Sequence, residues 1–297
     1  MPALFVVLWA TGFVGATLGM PYAPPLKFLL WRFAIVIVLM GLVALIYRAA
    51  WPRGVQLWHV AVAGVLLQAG YLGGVFVSID LGMSAGVSAL IVGLQPLLTA
   101  LFAATTRSSL RERVSLRQWA GFVLGFGGVA LVVSNTLGTG SVGLPAVAAV
   151  VLALISITAG TLYQKRHCGA QDLRTQSVVQ FIAAGAVLLP LALAFETRPV
   201  LWTGPFLVAL GWVVLVLSLG AISLLLLLIR RGAATQVSSL MYLVPPVTAL
   251  FAWFLFDERL TSLALAGMAL AVIGVALVVR APAAPPAPPV PPASVRG

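Results

Sequence analysis

The chain has 297 residues, of which 62% are hydrophobic and 8% are charged. Soluble domains carry about 25% charged residues, so this composition excludes an ordinary soluble globular protein. The net charge of +11 comes from 17 Lys and Arg against 6 Asp and Glu, yet no segment is polar enough to form the basic face that a nucleic-acid partner needs. The single cysteine, Cys168, excludes an internal disulfide.

Apolar runs, bounded by charges and turn residues, predict an all-α membrane protein with ten transmembrane helices, because about 20 residues cross ~30 Å of hydrocarbon. The predicted helices cover residues 2–20, 26–47, 55–79, 84–106, 115–134, 143–164, 175–195, 205–229, 234–256 and 261–280. The first run carries Trp9 and Thr11 and has no basic residue before it, which favours a retained helix over a signal peptide.

The distribution of basic residues predicts the orientation in the membrane. Lys and Arg favour the cytoplasmic side. With the N-terminus inside, the predicted inner segments carry 13 of these residues and the outer segments carry 3, namely Lys27, Arg198 and Arg259. We therefore expect both termini in the cytoplasm. After Arg280 the sequence turns to Ala and Pro, which predicts a disordered, Pro-rich cytoplasmic tail over residues 281–297.

The two halves of the chain resemble each other in sequence. Residues 112–133 align without gaps onto residues 258–279 with 11 identities in 22 positions. Residues 96–103 align onto residues 245–252 with 6 identities in 8 positions. Glycines match as well as apolar residues, so the similarity goes beyond a shared helical composition. The sequence therefore contains an internal repeat.

Each half contains five predicted spans, and because five is odd the second half must enter the membrane upside down. We predict two inverted five-helix repeats, residues 1–134 and residues 143–280. Inverted repeats are typical of secondary transporters, in which two equivalent halves open a central site to either side in turn. Duplication in a protein that transports nothing is the alternative.

Three motifs recur in both halves: Pro-x-x-Thr-Ala-Leu-Phe, then Glu-Arg-x-Ser/Thr, then a glycine-rich helix that closes on Gly-Val-Ala-Leu. With ten spans in two repeats, they resemble the drug/metabolite transporter superfamily with tandem EamA repeats, over about residues 2–280. The resemblance implies a central cavity between the repeats, peripheral fifth and tenth helices and a place in a bacterial inner membrane. Similarity to the amino-acid-exporting branch implies export of amino acids or related metabolites.

Prolines stand about mid-span in predicted helices 4 and 9, at Pro96, Pro245 and Pro246. A helical proline frees the carbonyl four residues earlier and bends the helix. We interpret these prolines as hinges. The carbonyls freed in this way belong to Val92, Met241 and Tyr242, and they could accept the ammonium of an amino acid. Kinks that neighbouring helices satisfy are the alternative.

Five polar or amphipathic side chains at depth are predicted to line the substrate site: Trp9, Gln68, Tyr71, Gln95 and Tyr242. Burying such a group without a partner costs roughly 1–3 kcal/mol, so these side chains should face one another or a cavity. We expect no catalytic residue, no metal and no cofactor. An intramembrane enzyme is disfavoured because His59 and Asp80 stand at opposite ends of one predicted helix, about 30 Å apart.

Charged residues within the spans separate the remaining alternatives. Every Asp and Glu falls at a span end or in a loop, which argues against a proton-coupled exporter of lipophilic drugs. That exporter stays an alternative, together with a non-transporting scaffold. Arg32 is the one cation inside a predicted span, and its equivalent in the second half is Gln180. We interpret Arg32 as snorkelling to the outer interface, with a contact to a substrate carboxylate as the alternative.

Two local patterns indicate helix starts and helix packing. Ser115 with Gln118 has the spacing of a capping box, and Thr261 can cap the equivalent helix. The small-residue spacings at 121/125 and 267/271 are typical of close helix packing.

Together these patterns predict an inner-membrane secondary transporter that exports small neutral or zwitterionic metabolites, with amino acids first. Alternating access through a central cavity, without proton coupling, is the expected mechanism. The expected partners are a small-molecule substrate and the lipid bilayer. We expect a monomer, with a homodimer as the alternative.

Overall fold

A computed structural model describes residues 2–105, 115–138, 140, 142–169, 171–221, 243–258 and 261–279. These residues contain ten helices, which we name in chain order: α1 (Pro2–Gly19), α2 (Pro25–Ile46), α3 (Val55–Asp80), α4 (Ala85–Val92 and Gln95–Thr105), α5 (Leu116–Gly138), α6 (Leu144–His167), α7 (Leu173–Phe195), α8 (Gly204–Gly211 and Trp212–Ala221), α9 (Val244–Phe256) and α10 (Ser262–Val279). No strand occurs in the described part of the chain, which confirms the all-α prediction there. The predicted tail, residues 281–297, and the predicted helix ends at 222–242 lie outside it.

Seven of these helices are long and apolar enough to cross a membrane: α2, α3, α4, α5, α6, α7 and α10. Three shorter apolar helices span Leu4–Gly19, Gly204–Gly220 and Val244–Phe256. The bilayer core offers no water to backbone N–H and C=O groups, and a helix satisfies these groups internally. Several long, apolar helices in one chain therefore indicate that it crosses a bilayer more than once. The chain is a multi-pass membrane protein.

Helix α4 is interrupted, whereas the sequence predicted one continuous helix over residues 84–106. The first segment ends at Val92, and a turn at Gly93 and Leu94 follows. The Leu94 carbonyl then accepts hydrogen bonds from Leu97 N at 2.9 Å and from Leu98 N at 3.1 Å, which starts the second segment. Pro96 lies in the first turn of that segment, where its missing N–H has no helical partner to lose.

Helices α3 and α8 each contain a π-helical segment, over Val65–Leu72 and Trp212–Ala221. The two segments begin 147 residues apart (212 − 65 = 147), within the range of offsets that relates the two halves of the sequence. A π-helix is rare and is found most often at functional sites. The sequence predicted neither segment.

Helices α5 and α10 meet through glycines. A Cβ added at Gly121 would lie 2.7 Å from the carbonyl oxygen of Gly274, and one added at Gly267 would lie 2.7 Å from that of Gly128. The earlier glycine of each helix faces the later glycine of the other, so the helices run antiparallel. The alignment of the two halves exchanges these two contacts, which makes the pair symmetric. The predicted small-residue packing is confirmed here.

Polar groups satisfy the helix starts as predicted for α5. Ser115 Oγ accepts from Gln118 N at 3.2 Å, and Gln118 Oε1 accepts from Ser115 N at 2.8 Å, which closes a capping box. Thr261 Oγ1 accepts from Ala264 N at 3.1 Å and caps α10. At the start of α2, the Glu196 carboxylate accepts from the backbone N–H groups of residues 26 and 27 at 2.7 and 2.9 Å.

Candidate functional site

A cavity of about 780 Å³ lies among α1, α2, α3, α4, α6, α7 and α8. In the described part of the chain, no residue of α5, α9 or α10 lines it. Four of the five predicted site residues line this cavity: Trp9, Gln68, Tyr71 and Gln95. The fifth, Tyr242, lies outside the described residues. The cavity therefore gathers side chains from helices of both halves of the sequence.

Aromatic and amide groups shape the middle of the cavity. The Trp9 ring on α1 tilts against Phe5 with centroids 5.5 Å apart. Gln95, at the start of the second segment of α4, donates from Nε2 to Thr161 Oγ1 on α6 at 3.0 Å. Gln68 and Tyr71 both come from the π-helical segment of α3. The π-helical segment thus places two polar side chains on the cavity wall within one short stretch.

Arg32 also lines the cavity, and its side chain is buried, with 8% of the residue exposed. Its Nε and Nη2 donate to Ser218 Oγ on α8 at 3.3 and 3.1 Å. The interpretation of Arg32 as snorkelling to the outer interface is therefore wrong. The guanidinium turns inward because a hydroxyl acceptor on α8 and the polar cavity lie on that face of α2.

Three glutamines on α6 and α7 also line the cavity, and the sequence did not predict them as site residues. Gln180 donates from Nε2 to Gln164 Oε1 at 3.0 Å. Gln176 is 3% exposed, and its Oε1 has no hydrogen-bond partner in the described part of the chain. Because Gln180 aligns with Arg32, the repeat itself pointed to this position. Gln164 and Gln176 stand near helix ends, where polar residues are common, so their positions in the sequence did not indicate a cavity.

Aromatic rings close one end of the cavity. Phe28 on α2 is fully buried and packs against Phe76 on α3 at 5.4 Å and against Phe206 on α8 at 5.3 Å. Phe76 is part of the cavity wall. Beyond the rings, Arg198 Nη2 lies 2.5 Å from Asp80 Oδ1. Phe28 and Phe206 pack behind Phe76 and are not part of the cavity wall, so in the described part of the chain the cavity ends at this layer.

The opposite end of the cavity reaches the turn between α6 and α7, where Lys165, Gly169 and Leu173 line it and are exposed. Cys168 also lines this end, but it is 3% exposed. Burial raises the pKa of the Cys168 thiol above its ordinary value. In the described part of the chain, the lining residues are therefore exposed at the α6–α7 end and packed against buried aromatic rings at the other end.

The prolines that we predicted as hinges do not line the cavity. Pro245 lies in the first turn of α9 and faces Gly93 of α4, where an added Cβ would be 3.0 Å from Pro245 Cγ. Pro246 follows it in the same turn. Val92, whose carbonyl the sequence predicted to be freed by Pro96, is buried but is not part of the cavity wall. The sequence-based assignment of this carbonyl to a substrate ammonium is therefore not supported.

The described titratable groups outside the cavity form small clusters and ion pairs. In the described part of the chain, no three His, Cys, Asp or Glu side chains stand close enough to hold a metal ion. His59 Nδ1 lies 2.7 Å from the Tyr163 hydroxyl, and the His59 ring stacks on His167 at 4.5 Å. The described Asp and Glu residues all lie outside the cavity wall, at positions 80, 172, 196, 257 and 258.

Known proteins with similar sequences are membrane transporters by name, and the similarity extends over nearly the whole chain. The model of the EamA-like transporter family matches residues 2–134 and again residues 144–280. The uncharacterized transporter YvbV of Bacillus subtilis is 29% identical over 282 residues, which cover 93% of this chain and 89% of YvbV. A protein of Escherichia coli K12 named a probable amino-acid metabolite efflux pump is 24% identical over 283 residues, with 91% of each chain covered.

Two further comparisons concern the membrane and the fold. The uncharacterized inner membrane transporter YedA of Escherichia coli K12 is 27% identical over 279 residues, which cover 93% of this chain and 89% of YedA. A solved crystal structure with 20% identity superposes with a TM-score of 0.63 over 93% of this chain and 94% of that chain, which shows a common fold. Because the family model matches nearly the whole chain as a tandem repeat, the chain belongs to the EamA-like transporter family.

Proposed function

We propose that the protein exports amino acids or closely related small metabolites across a bacterial inner membrane, through its central cavity. The observation that carries the proposal is the 780 Å³ cavity, whose wall combines Trp9, Gln68, Tyr71 and Gln95 with apolar side chains. A mostly apolar pocket with a few polar groups is the usual form of a small-molecule site. The name of the similar Escherichia coli protein, a probable amino-acid metabolite efflux pump, supports amino-acid metabolites as the substrates.

All ten helices cross the membrane in this proposal, as two inverted five-helix repeats with both termini in the cytoplasm. The symmetric glycine contacts of α5 with α10 and the paired π-helical segments support the inversion. In this orientation the α6–α7 end faces the cytoplasm, because α6 runs inward. In this proposal the state is inward-open, and a substrate enters from the cytoplasm. A single chain encloses the cavity, so the protein works as a monomer.

Alternating access requires the aromatic layer of Phe28, Phe76 and Phe206 to part while the α6–α7 end closes. Pro96 and the Pro245–Pro246 pair act as hinges, because each stands where a helix begins again or starts. The two π-helical segments supply a further adjustable element on the cavity side. Tyr242 completes the wall from the second repeat in this proposal.

Transport proceeds without proton coupling. Proton-driven transporters use ionisable acids within the membrane, and the described cavity wall contains no Asp or Glu. An imposed pH gradient alone should leave the flux of phenylalanine unchanged in proteoliposomes. Acceleration of that flux by the gradient would contradict uncoupled export.

Counterflow with the purified protein tests the proposed function. Proteoliposomes are loaded with unlabelled phenylalanine, methionine or threonine, and the entry of the labelled amino acid is followed. Tetraphenylphosphonium, a lipophilic cation, is measured in parallel, and protein-free liposomes are the control. We expect counterflow of at least one amino acid and none of the cation. Counterflow of the cation alone would contradict the proposal, and so would a signal equal to that of protein-free liposomes for every amino acid.

A further inference from the structure

Arg32 places a buried positive charge on the cavity wall. A guanidinium has five N–H donors, and two of them go to Ser218 Oγ. The guanidinium makes no other hydrogen bond in the described part of the chain. Its remaining donors are therefore available to a molecule in the cavity.

No described residue of the cavity wall balances this charge. The wall holds Arg32 and, at the open end, Lys165, but no carboxylate. A buried charge without a counterion costs several kcal/mol, and such residues in membrane segments usually have a functional partner. An anionic ligand would supply that partner from the cavity side.

Ser218 holds the guanidinium in one orientation. Its hydroxyl donates to the carbonyl of Val213 at 3.0 Å, five residues earlier in the π-helical segment of α8. The proton of this hydroxyl is therefore occupied, and the Ser218 oxygen is left as an acceptor for Arg32. This chain of hydrogen bonds fixes the guanidinium before any ligand arrives, which lowers the cost of binding.

We propose that Arg32 binds the carboxylate of the transported molecule, with Ser218 as its positioning residue. The inference rests on the proposed function and narrows its substrates to carboxylates. A guanidinium matches a carboxylate with two parallel hydrogen bonds, which a single ammonium cannot do. The wall accommodates an apolar substrate body against Phe13 and Phe181.

Gln176 offers a second polar group on the cavity wall. Its Oε1 is buried on the cavity wall without a hydrogen-bond partner in the described part of the chain. An unsatisfied acceptor of this kind costs about 1–3 kcal/mol. A donor group elsewhere on the transported molecule can bond to it and add affinity, while the carboxylate is the required group.

The inference is tested by substrates that differ only in the carboxylate. Uptake into proteoliposomes is measured for phenylalanine, for its uncharged-carboxyl analogue phenylalaninamide, and for 3-phenylpropionate, which lacks the amine. The wild-type protein should carry phenylalanine and 3-phenylpropionate and should carry phenylalaninamide at least about tenfold more slowly, as expected for loss of a charged hydrogen-bond pair.

Arg32→Gln should lower phenylalanine uptake by about 10- to 100-fold and leave the residual uptake of phenylalaninamide unchanged. Arg32→Lys should restore part of the preference, because it keeps the charge and loses the fork. Ser218→Ala should weaken the preference for the carboxylate less than Arg32→Gln does. Arg174→Gln is the matched control, since Arg174 stacks on Tyr47 at 4.4 Å outside the cavity wall, and it should retain the wild-type preference.

A variant that fails to fold is recognised by size-exclusion chromatography, and the wild-type protein then still decides the question. Phenylalanine should protect Cys168, the single cysteine, from maleimide, and phenylalaninamide should not. Equal wild-type uptake of phenylalanine and phenylalaninamide would overturn the inference and leave amino-acid transport standing. No uptake of any of the three probes would overturn this inference, and if methionine and threonine also show no counterflow, the proposed function falls with it.

Discussion

Helices α5 and α10 occupy equivalent positions in the two repeats, and so do α3 and α8, yet the two pairs are built differently. The first pair is regular and meets backbone to backbone at Gly121, Gly128, Gly267 and Gly274. The second pair departs from α-helical geometry over Val65–Leu72 and Trp212–Ala221 and lines the cavity there. The contrast indicates that one pair holds the repeats together while the other contributes to the cavity wall.

The glycine contacts explain why the first pair leaves little freedom. Without side chains at the crossing, two helices approach until their backbones touch, and many weak contacts add up along their length. The π-helical segments are packed less regularly, because the wider turn interrupts the α-helical hydrogen-bond pattern and exposes polar groups to the cavity. Ser218 shows the gain, since the wider turn lets it bond the carbonyl five residues back and hold Arg32.

The largest expected effect comes from filling the α5–α10 crossing. Gly128→Leu would drive a side chain into the backbone of α10, where an added Cβ already meets the Gly267 carbonyl and lies 3.1 Å from Leu270 Cβ. We expect a loss of stability of about 3 kcal/mol, measured by thermal unfolding in detergent.

Gly127→Leu is the matched control for this substitution. Gly127 directly precedes Gly128 on the same helix, and a Cβ added at Gly127 has open space around it. The melting temperature should therefore stay at the wild-type value. Equal destabilisation by both substitutions would show that the crossing in the structure is wrong.

Substitution of the prolines proposed as hinges should lower the transport rate without changing the stability of the protein. Pro96→Ala restores a backbone donor at the point where α4 begins again, and it favours a continuous helix that bends less readily. We expect several-fold slower counterflow with an unchanged melting temperature. Pro245→Ala combined with Pro246→Ala should act in the same way, and unchanged transport in both variants would contradict the hinge role.

Cys168 offers a smaller effect that reports on the open end of the cavity. Maleimide reacts with the thiolate, and burial raises the pKa of this thiol. The labelling rate should therefore keep rising with pH beyond about 8.5, where a free thiol in solution levels off. Glutathione in the same buffers is the control. A Cys168 rate that levels off at or below the pH of glutathione would contradict the burial of this thiol.

The smallest effect is expected at the closed end, from Asp80→Asn. The Asp80–Arg198 ion pair is partly exposed, with 54% of the Arg198 side chain accessible, and such pairs contribute about 0–1 kcal/mol. The melting temperature should hardly change. Glu196→Gln is the comparison, because it weakens a carboxylate cap on two backbone N–H groups of α2 and should cost more, about 1 kcal/mol. A larger loss for Asp80→Asn than for Glu196→Gln would contradict this ranking.

Much of the helical layout could be predicted because apolar length and capping residues are local signals. The capping box at Ser115 and the close packing at Gly121 are both read from spacing along one helix, and both are confirmed. The placement of Trp9, Gln68, Tyr71 and Gln95 on one cavity agrees with the prediction that buried polar groups face each other. Their role in binding stays a prediction.

The rest depends on which helices face each other, which one sequence does not contain. Arg32 could turn to the interface or to the interior, and only the position of Ser218 on α8 decides between them. The π-helical segments are hidden because helices that are apolar on all sides carry no period from which an extra residue per turn could be recognised. The turn at Gly93 was missed because Pro96 suggested a bend in a helix that in fact stops and begins again.

The most direct test of the account is a structure determined with a transported amino acid bound. We expect ligand density inside the cavity between α2, α3, α7 and α8, with the carboxylate within hydrogen-bond distance of Arg32. Ligand density outside the cavity, for example against α5 and α10, would contradict the central claim that the space between the repeats is the substrate site.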